Sequence, residues 1–169
     1  WSSLDERLGS RQVGSTQINV DMVRYLDLAE KHGTPYYLKL DIEGMDVAPI
    51  IDLYKCRSKP AFVSCEASGI EGCAHLFALG YKKFKFVMQR GLPELVLPKP
   101  ALEGETVDHV FPLGSSGPFG EEAPGQWSRL EDCLTDYYVY KHFRRLDNRL
   151  QQDWADFHAC GDRFLADFH

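Results

Sequence analysis

The residues best suited to chemistry are carboxylates that follow two hydrophobic segments. The segment YYLKLDIEGMD (36–46) leads into Asp41 and Glu43, and the segment PAFVSCEAS (60–68) leads into Glu66. Carboxylates at such positions can accept a proton from a reacting hydroxyl group and can stabilise a nearby positive charge. We therefore take these three acids as candidate catalytic residues, with Asp41 first.

Some of these residues also have simpler interpretations. Glu43 shortly precedes a predicted helix, and Glu66 precedes the segment ASGIEG, so either glutamate could be a helix cap. Lys39 alternates with Asp41 along the predicted strand, and an ion pair between them would be structural. His158, in DWADFHA, is a further candidate acid or base, but a histidine in such aromatic surroundings could equally be a packed, hydrogen-bonded residue.

The elements that must position these residues alternate between strand and helix. In chain order they are a helix from Asp21 to Gly33, a strand from Tyr36 to Ile42, a helix within residues 45–55, a strand from Ala61 to Cys65, a helix from Ile70 to Leu79, and a strand within residues 82–89. This order with short connections predicts an α/β fold built on a parallel sheet. Ligands bind at the carboxyl ends of such strands, where the acids are expected to lie.

The second half of the chain has a different composition. Residues 91–125 are rich in Pro, Gly and Ser, which predicts a long ordered loop with Asp108–Phe111 as its only strand candidate. Gly114–Gly120 is either a loop over the pocket or an ordinary cluster of turns. Residues 127–150 predict one long helix or two shorter ones. The last segment, residues 153–169, is aromatic-rich and has an amphipathic pattern.

Four aromatic residues of the predicted long helix are expected to pack in the core or in a lid. They are Tyr137, Tyr138, Tyr140 and Phe143.

The short segment Ile18–Val20 is β-prone.

Composition excludes several classes of function. The net charge of −6 gives no basic field that would bind nucleic acid, and no stretch approaches the roughly 20 apolar residues of a membrane span. The five cysteines show neither CxxC pairs nor metal-ligand spacing, which indicates a reducing, cytoplasmic compartment and no zinc site.

Five segments occur in the order found in one known family. YYLKLDIEGMD closely resembles the fourth-strand motif of FkbM-type methyltransferases, with Leu40, Ile42 and Asp46 replacing the usual Ile, Val and Glu. NVDMVRYLDLAEKHGTP resembles the helix before that strand, KPAFVSCEAS the fifth strand, and LFALGYKKFKFV the following helix end and strand. GSSGPFGEEAPGQW and WADFHA resemble a C-terminal extension of some members, and SSLDERLGSR resembles the loop leading into this region.

The resemblance implies a specific fold and activity. It implies a partial Rossmann-like class I methyltransferase sheet with helices on its faces and a helical C-terminal extension. Residues 1–90 would be the C-terminal half of that domain, and residues 91–169 a loop and helical extension packed on it. The cofactor would be S-adenosylmethionine, held in part by Asp41 and Glu43, and the methyl acceptor a small molecule or glycan hydroxyl.

One part of the family pattern is absent from the sequence. No glycine-rich turn of the form Asp-Val-Gly-Ala-Asn-x-Gly follows a predicted strand, although a nucleoside-binding sheet needs such glycines for close backbone approach. We therefore expect a fragment that is inactive alone and lacks the N-terminal cofactor-binding strands. The alternatives are a degenerate interaction module without cofactor and a hydrolase that uses paired carboxylates. Oligomeric state stays open.

Overall fold

The computed structural model of the chain describes residue 16 and residues 18–147 and 153–161. Its helices are α1 (Tyr25–His32), α2 (Val47–Asp52), α3 (Glu71–Ala78) and α4 (Leu130–Leu146), and two short 3-10 helices cover Gln89–Glu94 and Gly120–Glu122. Its strands are β1 (Tyr37–Leu40), β2 (Phe62–Glu66), β3 (Tyr81–Met88) and β4 (Ala155–Gly161). The predicted opening loop (2–11) and residues 162–169 lie outside the described residues.

The four strands form one mixed sheet in the order β1-β2-β4-β3. Strands β1 and β2 are parallel, with Tyr37 opposite Phe62. Strand β4 lies between β2 and β3 and is antiparallel to both. The α/β class predicted from the alternation of elements is therefore confirmed, with one reversed strand in the sheet.

The reversed strand corrects the prediction of a helical C-terminal extension. Helix α4 is the helical part, but residues 155–161 are a sheet strand in which all residues from Ala155 to Cys160 are buried. Apolar Phe157 and Ala159 face one side of the sheet, and Asp156 and His158 face the other. The alternation of polar and apolar residues in β4 is a strand pattern, although both faces of the strand are buried.

All four helices contribute to a single core on one face of the sheet. Tyr25 of α1, Ile50 of α2, Leu76 of α3 and Tyr137 of α4 pack there with strand residues that include Phe157. The sequence resemblance implied helices on both faces. In the part of the chain that the structure describes, the second face is covered by the loop after β3 instead.

The second face carries both polar and aromatic side chains, and one lysine and two aromatic residues hold the loop on it. Phe119 stacks on Tyr37 with ring centroids 4.3 Å apart, and Trp127 stacks on Phe62 at 5.9 Å. The Lys85 ammonium donates hydrogen bonds to the carbonyls of residues 120 and 123, at 3.3 and 2.7 Å, and lies 4.5 Å from the Trp127 ring. Burial lowers the pKa of Lys85, and these contacts compensate its lost hydration.

Three local predictions are wrong. Helix α1 begins after Arg24, not after Asp21, although it ends at Gly33 as expected, with φ +85°. Ile18–Val20 forms no strand, and its apolar side chains are exposed. Asp108–Phe111 is also not a strand, and Val110 is 77% exposed. None of the helices in the described ranges has the length and apolar character of a membrane crossing.

Replacing Phe157 tests the central position of β4. Phe157 is fully buried and contacts Phe86 and Tyr137, so Phe157→Ala should lower the free energy of unfolding by about 3–5 kcal/mol. Urea unfolding followed by circular dichroism measures this loss. Leu113→Ala, at a residue 76% exposed, should change the free energy of unfolding by less than about 0.5 kcal/mol. Equal effects of the two substitutions would contradict the placement of β4.

Candidate functional site

The candidate site lies at the edge of the sheet where β1 and β2 end and β4 begins. Asp41 follows β1, Glu66 is the last residue of β2, and Asp156 is opposite Glu66 in the ladder with β4. Because β4 runs in the opposite direction, its first residues lie at the same edge as the last residues of its neighbours. We call this group of acids, together with Glu43 and Asp46, the acidic rim.

The acids of the rim are close enough to influence one another. Burial is the largest cause that raises the pKa of Glu66, followed by the negative charges of Glu43, Asp46, Asp41 and Asp156. The structure thus brings together the three carboxylates singled out from the sequence, Asp41, Glu43 and Glu66.

The backbone between these acids makes an unusual turn. Glu43 has φ +46° and Gly44 has φ +95°, so two consecutive residues adopt a left-handed conformation directly after β1. Gly44 does so without a steric penalty, but a residue with a Cβ atom, such as Glu43, does so only where the surroundings enforce it. Backbone strain of this kind concentrates at functional sites, where it fixes the direction of a side chain.

Neither glutamate is a helix cap. Helix α2 begins after Asp46, and helix α3 begins after Ile70. The capping alternatives for Glu43 and Glu66 are therefore wrong. The Asp46 carboxylate also does not cap its helix. It accepts a hydrogen bond from the Ile42 backbone N–H at 2.7 Å and so closes the turn.

Lys39 forms ion pairs with two acids of the rim. Its ammonium lies 2.6 Å from an Asp156 carboxylate oxygen and 3.7 Å from Asp41. Burial disfavours the charged form of Lys39, but the charge and hydrogen bond of Asp156, together with the charges of Asp41 and Tyr37, outweigh burial and raise the pKa of Lys39. The predicted pairing of Lys39 with Asp41 is thus present, and the shorter contact is to Asp156.

Asp156 is a buried acid, with its side chain 2% exposed. Burial raises its pKa to about 6, and Lys39 offsets only part of this effect. Burial also raises the pKa of Glu66 and of Asp46, whose Oδ2 is buried without a hydrogen-bond partner. Carboxylates with raised pKa values are better proton acceptors than ordinary ones, because they hold a proton more tightly.

His158 lies inside the sheet rather than at the rim. It faces Ser64 across β4 and β2 and Lys85 across β4 and β3, and it is 2% exposed. Burial, together with the charges of Lys39 and Lys85, lowers the pKa of His158 to about 3, so the ring is neutral. Its Nε2 atom is buried without a hydrogen-bond partner. The structure does not bring it together with the three predicted acids.

The Gly114–Gly120 loop also lies away from the rim. Phe119 of this loop packs on Tyr36, Tyr37 and Phe62, which are located where β1 and β2 begin. The acids lie at the opposite ends of these strands. Through this contact the loop covers the second face of the sheet at the end away from the acids.

Sequence reasoning missed Asp156 as a member of the rim. The signal was the alternation in ADFHAC, which places Asp156, His158 and Cys160 on one face of a strand. In the described part of the chain, no group of three or more His, Cys, Asp or Glu side chains is suited to hold a metal ion.

Comparison with known proteins adds no assignment, because the chain matches no family model, no curated protein and no solved structure.

Gly44 is required by the turn. Because its φ is +95°, Gly44→Ala should lower the free energy of unfolding by about 1 kcal/mol or more. Gly91→Ala is the matched control, because a Cβ atom there meets no atom within 4 Å and its φ is not left-handed. Chemical denaturation of both variants checks this difference, and an unaffected Gly44→Ala protein would show that the turn is not constrained.

Asp156 should make stability depend on pH. Its folded pKa of about 6 exceeds the usual value of 3.8 for an aspartate, so its protonation stabilises the fold at low pH, and this contribution is lost as the pH rises through about 6. Relative to Asp156→Asn, the wild type should therefore lose up to about 3 kcal/mol of stability between pH 4 and 7. Urea unfolding at a series of pH values measures this difference.

His158 should act in the opposite direction and is the control. Its folded pKa is lowered to about 3, so its contribution is present above the usual value of 6.5 and is lost as the pH falls towards 3. The His158→Asn protein should therefore keep the Asp156 effect. If the free energies of unfolding of the wild type and of Asp156→Asn change with pH in parallel, Asp156 is not a buried carboxyl group that titrates in this range.

Proposed function

We propose that the chain is the acceptor-side half of an S-adenosylmethionine-dependent methyltransferase that acts on a hydroxyl group of a small molecule or glycan. The observation that carries the proposal is the acidic rim itself. Its carboxylates gather at the carboxyl ends of the parallel strands β1 and β2, and the turn after β1 has the motif that resembles the FkbM-type family. Ligands of open α/β sheets bind at this edge.

The position of β1 is compatible with this proposal. Within the described residues β1 pairs with β2 alone and stands at the edge of the sheet. The cofactor-binding strands that the proposal requires would continue the sheet on the free side of β1.

The charges of the rim fit the positive end of the cofactor. S-adenosylmethionine supplies a methyl group on a positively charged sulfur atom. Asp41, whose side chain is 52% exposed, is the most accessible acid of the rim, and Glu43 lies in the strained turn beside it. Their negative charge favours a cation in front of β1. The glycine-rich turn that would hold the adenosine is not among the described residues, so the proposal assigns it to upstream residues.

The same residues can assist the acceptor. Methyl transfer depends mainly on alignment of the two reacting groups. A carboxylate within hydrogen-bond distance of the acceptor hydroxyl orients it and takes its proton as the bond forms. Asp41 is our first candidate for this role. Glu66 is the second, since its raised pKa makes it a better base and it lies on the neighbouring strand.

A second candidate function is an interaction module that kept the sheet without cofactor binding. It is favoured by the region before β1, where residues 18–36 form a helix and no strand followed by a glycine-rich turn. Calorimetric titration with S-adenosylmethionine separates the two functions. The enzyme proposal expects little or no heat from these 169 residues alone and binding once the upstream residues are included. Absence of binding by both versions would favour the interaction module.

The substitution Asp41→Asn, made in the protein that includes the upstream cofactor-binding residues, tests the role of Asp41 as a general base. Loss of a general base should reduce kcat by about 100-fold or more, with a smaller change in the affinity for S-adenosylmethionine. Glu105→Gln, which neutralises an exposed acid in the loop, should leave kcat unchanged. Unchanged turnover of the Asp41→Asn protein would remove Asp41 from the catalytic residues.

A further inference from the structure

Buried polar side-chain atoms without a hydrogen-bond partner gather at one edge of the sheet. The described part of the chain contains six such atoms, on Tyr25, Asp46, Gln89, Asp153 and His158. Four of the six belong to Asp46, Gln89 and Asp153, which lie just beyond the strand ends at the edge of the acidic rim. Such atoms are rare in folded proteins, because each loses its hydration without a replacement. Their concentration at this edge needs a physical explanation.

Gln89 carries two of these atoms. It follows β3 directly, and its backbone N–H donates a hydrogen bond to the Trp154 carbonyl at 3.1 Å, which places it beside the start of β4. The residue is 1% exposed, and both the oxygen and the nitrogen of its carboxamide are buried without a partner. A carboxamide can donate and accept hydrogen bonds at the same time. Because no hydrogen bond holds this one in place, it can turn towards a ligand without breaking one.

Asp153, by contrast, is held in a fixed position. Arg90 Nε is 2.8 Å from one oxygen of its carboxylate, and the Tyr140 hydroxyl donates a hydrogen bond to its backbone carbonyl at 2.7 Å. The second carboxylate oxygen, Oδ2, is buried without a partner and is therefore a preorganised acceptor. Tyr140 is buried as predicted for the aromatic residues of α4. Tyr138 and Phe143 of the same helix are 56% exposed, so the expectation that they also pack inside is wrong.

The chemistry of these residues favours a sugar as the ligand. Gln89, Asp153 and Trp154 together form what we call the β3–β4 corner. Its carboxamide and carboxylate suit hydroxyl groups, which both donate and accept, and the half-buried Trp154 is a flat aromatic side chain on which the C–H face of a sugar ring can pack. A donor-only ammonium group would leave the carboxamide nitrogen unpaired, and an anion would be repelled by the acids of the rim.

We propose that Gln89 and Asp153 form a subsite that binds hydroxyl groups of a neutral sugar. The subsite lies where β4 begins, and β4 is the strand next to β2, whose last residue is Glu66. A sugar ring bound at the corner can therefore present a further hydroxyl group to the acids of the rim. The subsite rests on the proposed methyltransferase function only in that this sugar is the methyl acceptor, which makes the acceptor a neutral glycan.

Binding of the full chain to an array of neutral glycans tests the subsite without methyl transfer. The wild type should retain at least one neutral glycan, and Gln89→Met should weaken this binding at least about tenfold, because methionine has a similar shape but forms no such hydrogen bonds. In a series of deoxy analogues of that glycan, those that lack a bound hydroxyl should bind the wild type at least about tenfold more weakly.

Gln126→Met is the matched control, because it makes the same change at an exposed residue of the loop. It should leave glycan binding unchanged. Retention of no neutral glycan by the wild type, or equal retention by the wild type and Gln89→Met, overturns the proposal.

Urea unfolding shows whether the Gln89 carboxamide has a structural role instead. A buried amide without a partner lowers stability, so Gln89→Met should raise the urea concentration at the midpoint of unfolding. A lowered midpoint would show that the carboxamide has a partner within the fold, and the subsite would be rejected.

The outcomes also separate the subsite from the proposed enzyme. If the chain binds a glycan that the protein with its upstream residues does not methylate, the methyltransferase is contradicted and the subsite stands. If that protein methylates a hydroxyl acceptor and Gln89→Met leaves its kcat and KM unchanged, the subsite is contradicted and the enzyme stands.

Discussion

The buried carboxylate of Asp156 is the constraint on which the polar half of the structure depends. A charged group with 2% of its side chain exposed needs a partner, and Lys39 provides it from β1, on the far side of β2. The ion pair therefore crosses an intervening strand. It fixes the first and last described strands relative to each other at the edge where the candidate acids lie. Removing Lys39 would leave the Asp156 carboxylate buried without this ion pair, and removing Asp156 would leave Lys39 with only its longer contact to Asp41.

The same ion pair leaves Asp41 only partly compensated. Lys39 is 2.6 Å from Asp156 but 3.7 Å from Asp41, so its positive charge compensates the exposed acid less closely than the buried one. Together with the turn at Glu43, this produces a rim in which one carboxylate is structural and another is presented outward. A site of this kind can attract a cation with its exposed carboxylate while the buried ion pair keeps the strands in place.

The sequence predicted most helices and strands of the fold but not strand β4, for physical reasons. Strand β2 and helix α3 have conventional patterns and a glycine at the helix end, so their existence and type were predictable. Strand β4 was missed because it is buried on both faces and carries Asp156 and His158 beside Phe157. The grouping of Asp41, Glu43 and Glu66 followed from strand order alone. The contribution of Asp156 depended on β4 reversing direction, which local patterns do not encode.

The position of β4 has a consequence for how the protein is made. The strand that lies between β2 and β3 is the last of the four to leave the ribosome, and its partners in the ladder are up to 98 residues away, as for Phe62 and Cys160. Until residues 155–161 emerge, β2 and β3 have no strand between them, and the facing edges of both strands stay unpaired. Closing such distant contacts is slow. The nascent chain thus carries open strand edges until β4 is synthesised, and a chain truncated before residue 155 is expected to aggregate more readily.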